Sequence, residues 1–61
     1  MREEIRDRLG RLMGTIELRA GRYEARDAGG RLMGTYDPSR NETRDIGGRL
    51  LAKGNTLSSL L

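Results

Sequence analysis

The sequence has 61 residues, of which 34% are charged and 34% hydrophobic, with a net charge of +3. A chain of this length forms one domain at most, near the lower size limit for independent folding. It has no Cys and no His, which excludes disulfides and the usual zinc or copper sites. We therefore expect self-association to supply stability, because small scaffolds without disulfides or metals commonly gain it by oligomerisation.

The first predicted element, residues 1–6, fits either a strand or a short amphipathic helix. Ile5, Leu9, Leu12 and Met13 follow the i, i+4, i+7, i+8 spacing of a helix. Gly10 would end such a helix early, and later copies of the same motif are poor helix formers. We predict a strand and keep the helix as the alternative.

A ten-residue pattern begins in this segment and occurs three times, over residues 4–13, 24–33 and 42–51. It reads Glu-x-Arg-Asp-x-x-Gly-Arg-Leu followed by Met or Leu. Asp favours the first position of a type I turn, and Gly favours the left-handed position that restores strand pairing. We therefore predict three β-hairpins, with turn-forming residues Asp7, Gly10, Asp27, Gly30, Asp45 and Gly48.

Residues 11–19 have the clearest strand pattern, because Leu12, Gly14, Ile16 and Leu18 alternate with the other side chains. Ala20-Gly21 predicts a two-residue hairpin connection to a short third strand over residues 22–26. Residues 31–36 repeat the Arg-Leu-Met-Gly-Thr of residues 11–15 and form the fourth predicted strand.

The turn predicted over residues 37–41 leads into the last two strands. Pro38 fixes φ for a type I turn, and Asn41 tolerates a left-handed backbone. The fifth strand covers residues 42–44 and the sixth residues 49–53. The tail then forms a last helical turn capped by Asn55, or an extended arm.

These elements predict an all-β fold, an antiparallel meander of five or six short strands with a short apolar C-terminal arm. A single domain covers residues 1–61, with repeats at approximately 4–20, 24–41 and 42–54 and a tail at 55–61.

An apolar pair follows each predicted turn, and neighbouring residues in a strand face opposite sides of the sheet. Both faces therefore carry apolar side chains, and the second needs a cover, either the Leu-rich tail or another copy of the chain. The candidate self-association residues are Met13, Met33, Leu51, Leu57 and Leu60.

No residue set has recognisable catalytic chemistry. The candidate carboxylate pairs for acid–base catalysis are Glu24 with Asp27 and Glu42 with Asp45. Each Asp stabilises a turn and each Glu has a nearby Arg to pair with, and no apolar pocket is available to raise the pKa of these carboxyl groups. The serines lack a His or Cys partner, and no nucleotide-binding or EF-hand pattern occurs. We expect a non-enzymatic structural or interaction module that forms a homo-oligomer and takes no cofactor or small-molecule substrate.

Nucleic-acid binding by a basic β-ribbon is the alternative function. A two-stranded ribbon can enter a major groove, and Arg is the commonest reader of guanine edges. Tyr23 and Tyr36 are the only aromatic residues, which disfavours stacking on single strands. Cross-strand Arg and Glu side chains would also neutralise one another, so this alternative is not favoured.

The N-terminal residues carry charges instead of the apolar core of a signal peptide, and the longest apolar runs are two or three residues. By default we therefore expect a cytoplasmic protein without a membrane partner.

The run from Asp27-Ala28-Gly29-Gly30-Arg31-Leu32 through Asp37-Pro38 to residues 43–50 resembles the tyrosine–aspartate repeats of Rhs-type and teneurin-like proteins. Those repeats read Tyr-Asp-x-x-Gly-Arg-Leu and build long spiralling sheets of β-hairpins. Arg6, Arg26 and Arg44 stand where that family has Tyr, and the three copies are spaced by 20 and then 18 residues. The resemblance covers roughly residues 4–53 and implies a β-meander with a scaffold role. The repeat also looks like those of small phage-borne or bacterial proteins, which implies a phage-associated protein as the other expectation.

Overall fold

The computed structural model describes residues 2–61, which form one antiparallel sheet and a short C-terminal 3-10 helix, η1. Each strand pairs with its neighbours in sequence, in the order β1-β2-β3-β4-β5-β6. The predicted all-β meander is therefore confirmed, with six strands. The elements are β1 Arg2–Arg6, β2 Leu12–Arg19, β3 Arg22–Asp27, β4 Leu32–Asp37, β5 Glu42–Asp45, β6 Leu50–Lys53 and η1 Leu57–Leu60.

The first segment is a strand, as predicted, and the helix alternative is wrong for residues 2–6. Arg2 lies opposite Glu17 and Ile5 lies opposite Gly14, so β1 pairs along its length with β2. Pairing with a neighbouring strand overrides the weak helical periodicity, which would bury only a few apolar side chains. Residue 1 lies outside the described residues.

Each repeated Asp-x-x-Gly segment forms a hairpin loop with the same two closing hydrogen bonds. Gly10 N donates to Asp7 O at 3.0 Å, and Asp7 N donates to Arg11 O at 3.0 Å. The corresponding bonds in the second and third loops measure 2.9–3.0 Å. The three glycines have φ values of 86°, 89° and 87°, the left-handed conformation of a hairpin bulge.

A second irregularity follows each loop, where two consecutive apolar residues face a single arginine. Arg6 lies opposite Leu12 while Ile5 lies opposite Gly14, which leaves Met13 without a partner in the register. The same shift occurs beside Arg26 and Arg44. The alternation predicted for β2 therefore holds only from Gly14 onward, because a bulge adds one residue and resets the period of two.

The other two connections use left-handed residues that are not all glycine. Ala20 and Gly21 have φ values of 50° and 78°, as expected for a two-residue hairpin between β2 and β3. Asn41 has φ 53° in the connection between β4 and β5. Its side-chain Oδ1 accepts a hydrogen bond of 2.7 Å from the Tyr36 hydroxyl, which holds this turn against the sheet.

The C-terminal tail folds back over one face of the sheet, where η1 contacts β3 and β4. Asn55 Oδ1 accepts a hydrogen bond of 3.2 Å from Leu57 N at the start of η1. Leu57 and Ala25 are the fully buried hydrophobic residues of the described chain, so the core is small and lies between tail and sheet.

Candidate interaction surfaces

The two faces of the sheet differ in chemistry. We call the side under the tail the tail face and the other side the open face. Side-chain alternation and strand register assign residues to each. The tail face carries Gly14, Ile16, Leu18, Tyr23, Ala25, Gly34, Tyr36, Thr43 and Ala52. The open face carries Leu12, Met13, Thr15, Glu17, Arg19, Glu24, Arg26, Leu32, Met33, Thr35, Glu42, Arg44, Leu50, Leu51 and Lys53. The bulge therefore puts both members of each apolar pair on the open face, and the expectation that they face opposite sides of the sheet was wrong.

Small residues on the tail face make room for the tail. A Cβ on Gly34 would lie 2.5 Å from Leu60 Cδ1 and 2.7 Å from the Arg44 carbonyl oxygen. A Cβ on Gly14 would likewise overlap Leu61 and the neighbouring backbone. Since real Cβ atoms do not approach other atoms so closely, the leucines of the tail depend on these two glycines.

Thr43 fixes the entry of the tail by hydrogen bonding. Its hydroxyl donates to Gly54 O at 2.6 Å and accepts from Thr56 N at 3.1 Å. Thr43 is fully buried, and no buried side-chain polar atom among the described residues lacks a partner. Burial of the Thr43 hydroxyl therefore has only a small free-energy cost of desolvation, and its two hydrogen bonds determine where the chain leaves β6.

The Asp and Arg side chains of the repeated pattern make the same hydrogen bonds in all three copies. Asp27 Oδ1 accepts from Gly29 N and Arg31 N, each at 2.9 Å. Arg26 donates from Nη1 to Gly30 O at 3.1 Å and from Nη2 to Glu24 Oε1 at 3.3 Å. The first and third copies make the same four bonds. Glu therefore orients Arg, and Arg holds the left-handed glycine in its loop.

Replacing Gly30 by Val should lower the free energy of unfolding by more than about 1 kcal/mol, because a β-branched residue is strained at φ +89°. Thermal and denaturant unfolding measure the change. Gly30→Asn is the control, since Asn tolerates the left-handed region, and it should cost less. Equal stabilities of the wild type and Gly30→Val would contradict this account of the turn.

Most arginine–glutamate pairs on the open face lie within one strand and not across strands. Arg44 contacts Glu42 at 2.8 Å in β5, and the equivalent pairs in β1 and β3 measure 3.0 and 3.3 Å. Lys53 in β6 adds a cross-strand contact of 2.9 Å to Glu42. The expected cross-strand neutralisation of arginine by glutamate occurs between Arg19 and Glu24, at 4.0 Å. The other arginine–glutamate pairs lie within a strand, because the guanidinium of the repeat arginine reaches back two residues while it holds the loop.

Two carboxyl groups have a lowered pKa. Hydrogen bonds from Lys53 and then Arg44 lower the pKa of Glu42 from its ordinary value of 4.5. The Ser39 hydroxyl, which donates at 2.7 Å, lowers the pKa of Asp37. These carboxylates stabilise the fold above their unfolded-state pKa values, and the contribution disappears as the pH falls through the lowered folded-state values.

A shallow cavity of about 210 Å³ lies beside the second loop, lined in part by Arg2, Leu12, Thr15, Glu17 and Arg26. Small-molecule sites usually have a volume of roughly 300–1,000 Å³, so this cavity is smaller than the usual site.

Within residues 2–61 no group of three or more His, Cys, Asp or Glu side chains could hold a metal ion. The same part of the chain has no helix long and apolar enough to cross a membrane.

The five candidate self-association residues lie in two places. Met13, Met33 and Leu51 belong to the open face, where Met13 is 40% and Leu51 45% exposed. Leu57 is fully buried inside its own chain, and Leu60 packs over Gly34. Leu57 is therefore not available to a second copy, because the tail uses its leucines to cover the sheet.

The six predicted turn residues all lie in the hairpin loops described above. Sequence reasoning missed the loop-holding role of Arg6, Arg26 and Arg44, although their constant distance from Glu and Gly in three copies was a usable signal. It also missed the packing role of Gly14 and Gly34, for which no local signal exists.

Comparison with family models, with curated proteins and with solved structures gave no match for this chain.

Proposed function

We propose that this protein is a non-enzymatic structural or interaction module that self-associates through its open face. The observation that carries the proposal is the exposure of Met13 and Leu51 on that face, together with the half-buried Met33. The bulges repeat every second strand, so each hairpin contributes apolar side chains to the same side of the sheet.

The small core supports association. Ala25 and Leu57 are the fully buried hydrophobic residues of the described chain, which is little apolar burial to offset the ordering of about sixty residues. The tail already covers its own face, so the open face is the side left for a second copy. Burial of methionines there would add hydrophobic stabilisation, and methionine adapts well to such contacts.

The charged groups of the open face are compatible with such contact. Glu24 and Glu42 are half-buried and already paired with arginines, so these carboxylates need no new partner in an interface. The same pairing supports a non-catalytic role, because a general acid or base needs a carboxyl group free to exchange a proton near neutral pH.

Substitution of Met33 by Asp tests the proposal. The wild type should have an oligomer mass by multi-angle light scattering or sedimentation, and Met33→Asp should shift it to the monomer or lower its melting temperature. A buried unpaired carboxylate in the interface is the physical reason. Met33→Ser is a milder variant that should shift the mass in the same direction while keeping the strand signal in circular dichroism.

Ser58→Asp is the matched control, because it adds one negative charge at an exposed position of η1, away from the open face. It should keep the wild-type mass. A wild type that is monomeric at every concentration, or a Met33→Asp protein with unchanged mass and melting, would contradict self-association through this face.

A further inference from the structure

The three repeated hairpin loops, residues 7–11, 27–31 and 45–49, lie along one end of the sheet. They do so because β1–β2, β3–β4 and β5–β6 are joined at the same end of an antiparallel meander. We call this end the turn rim. Neighbouring loops are two strands apart, or about 10 Å, so the rim extends over about 20 Å.

The turn rim carries three of the five exposed arginines that have no salt bridge in the described chain. Arg8, Arg31 and Arg49 are exposed and make no salt bridge with any residue of the described chain. Arg11 is 80% exposed in its side chain and has a single contact of 3.4 Å, to Asp7.

The acidic residues of the loops are set back from these arginines. Asp7, Asp27 and Asp45 are half-buried, and each Oδ1 accepts two backbone N–H groups from its own loop. Their carboxylates are directed into the loops, whereas the arginine side chains are exposed. The exposed charged side chains of the rim loops are therefore all arginines, although the acidic and basic residues of the loops nearly balance.

The rim also carries the two most exposed large hydrophobic side chains of the described residues. Leu9 is 78% and Ile46 60% exposed. They occupy the first and third loops, at the two ends of the rim, and Arg8 is the neighbour of Leu9. A single exposed leucine is ordinary. Two large apolar side chains, one at each end of a row of arginines, form an amphipathic edge.

We propose that the turn rim binds the surface of an anionic phospholipid bilayer, with Leu9 and Ile46 entering the headgroup boundary and the arginines contacting lipid phosphates. Peripheral binding combines buried apolar area with attraction between basic side chains and anionic lipids, and the rim offers both. A nucleic acid would use the charges but leave both apolar tips in water. The expectation of no membrane partner rested on the lack of a spanning segment, which surface binding does not require.

Vesicle co-sedimentation with the full chain tests the proposal, comparing phosphatidylcholine vesicles with vesicles that also contain phosphatidylserine. The folded protein should bind only the anionic vesicles, and added salt should weaken binding. Arg31→Gln together with Arg49→Gln should reduce the partition coefficient by about 5-fold per arginine. Leu9→Ser with Ile46→Ser should reduce binding at unchanged net charge.

Matched controls separate the rim from overall charge. Arg22→Gln with Arg40→Gln removes two exposed arginines at the opposite end of the sheet, of which Arg40 has one contact of 3.9 Å, to Asp37, and Leu18→Ser removes an exposed leucine away from the rim. Both should bind as the wild type does. The rim variants should also keep the wild-type mass and circular dichroism, which distinguishes this surface from the open face.

Three results would overturn the proposal. One is a folded wild type that does not bind phosphatidylserine vesicles. Another is an equal loss of binding in the Arg22 and Arg40 control, which would indicate attraction by net charge alone. The third is vesicle binding that is unaffected by Leu9→Ser with Ile46→Ser while the rim arginines are required for binding duplex DNA, which would identify a nucleic-acid surface instead.

Discussion

Replacement of Leu57 by Ala is expected to lower the free energy of unfolding by about 2–5 kcal/mol, the usual cost of truncating a buried leucine. Leu57 is fully buried and is the largest such side chain of the described residues. Domains have roughly 0.05–0.15 kcal/mol of stability per residue, or about 3–9 kcal/mol for this chain. The substitution should therefore remove much of the stability, and denaturant unfolding followed by circular dichroism measures it.

Leu18→Ala is the control for this prediction. Leu18 also lies on the tail face but is 41% exposed, so its truncation should cost clearly less than that of Leu57. Similar melting of the wild type and Leu57→Ala would mean that the tail does not cover the sheet in solution. In that case the tail face would itself be an exposed apolar surface, and the assignment of the interface to the open face would be wrong.

The second large effect is expected for Gly34→Ala, which should destabilise the fold by about 1–3 kcal/mol, as overpacking does. Its Cβ would lie 2.7 Å from the Arg44 carbonyl oxygen, which belongs to the neighbouring strand and cannot move freely. It would also lie 2.5 Å from Leu60 Cδ1, so the tail should be displaced. Hydrogen exchange at Leu57 and Leu61 should accelerate relative to the hairpin loops.

Gly29→Ala is a matched substitution in an exposed loop of the same hairpin. There the nearest atom to a new Cβ is Asp27 Oδ1 at 3.4 Å, so the cost should be small. Both substitutions restrict the unfolded chain equally, which by itself stabilises by about 0.4–1 kcal/mol. The difference between the two variants therefore isolates the steric conflict. Equal stabilities would contradict the close approach of both the Arg44 backbone and the tail to Gly34.

The hairpins could be predicted because their determinants lie within a few residues of one another. Asp27 bonds to backbone N–H groups two and four residues ahead, and Gly30 supplies the positive φ that closes the loop. The loop-holding contacts of Arg26 are equally local, at two and four residues. They were missed because the sequence reasoning paired arginines with glutamates across strands instead of along them.

The position of the tail could not be predicted in the same way. Thr43 and Gly34 meet residues of the tail that are separated from them by more than ten positions, and nothing in their own neighbourhoods marks them as its contact points. On sequence grounds Leu57 and Leu60 fit an intermolecular contact as well as a contact with their own sheet, because both surfaces would bury the same apolar side chains. Only the packed structure distinguishes these two uses.

By itself the sequence determined the three Asp-x-x-Gly loops, because each loop depends on backbone preferences and hydrogen bonds over at most four residues. These loops reverse the chain between strands that follow one another in the sequence, and the meander results from that order. The tertiary structure alone decided which face the tail covers, which methionines stay exposed and how the rim arginines align. The position of the tail depends on contacts between distant segments, and the exposure of the methionines depends on bulges that shift the strand register. The alternation of side chains along one strand encodes neither of them.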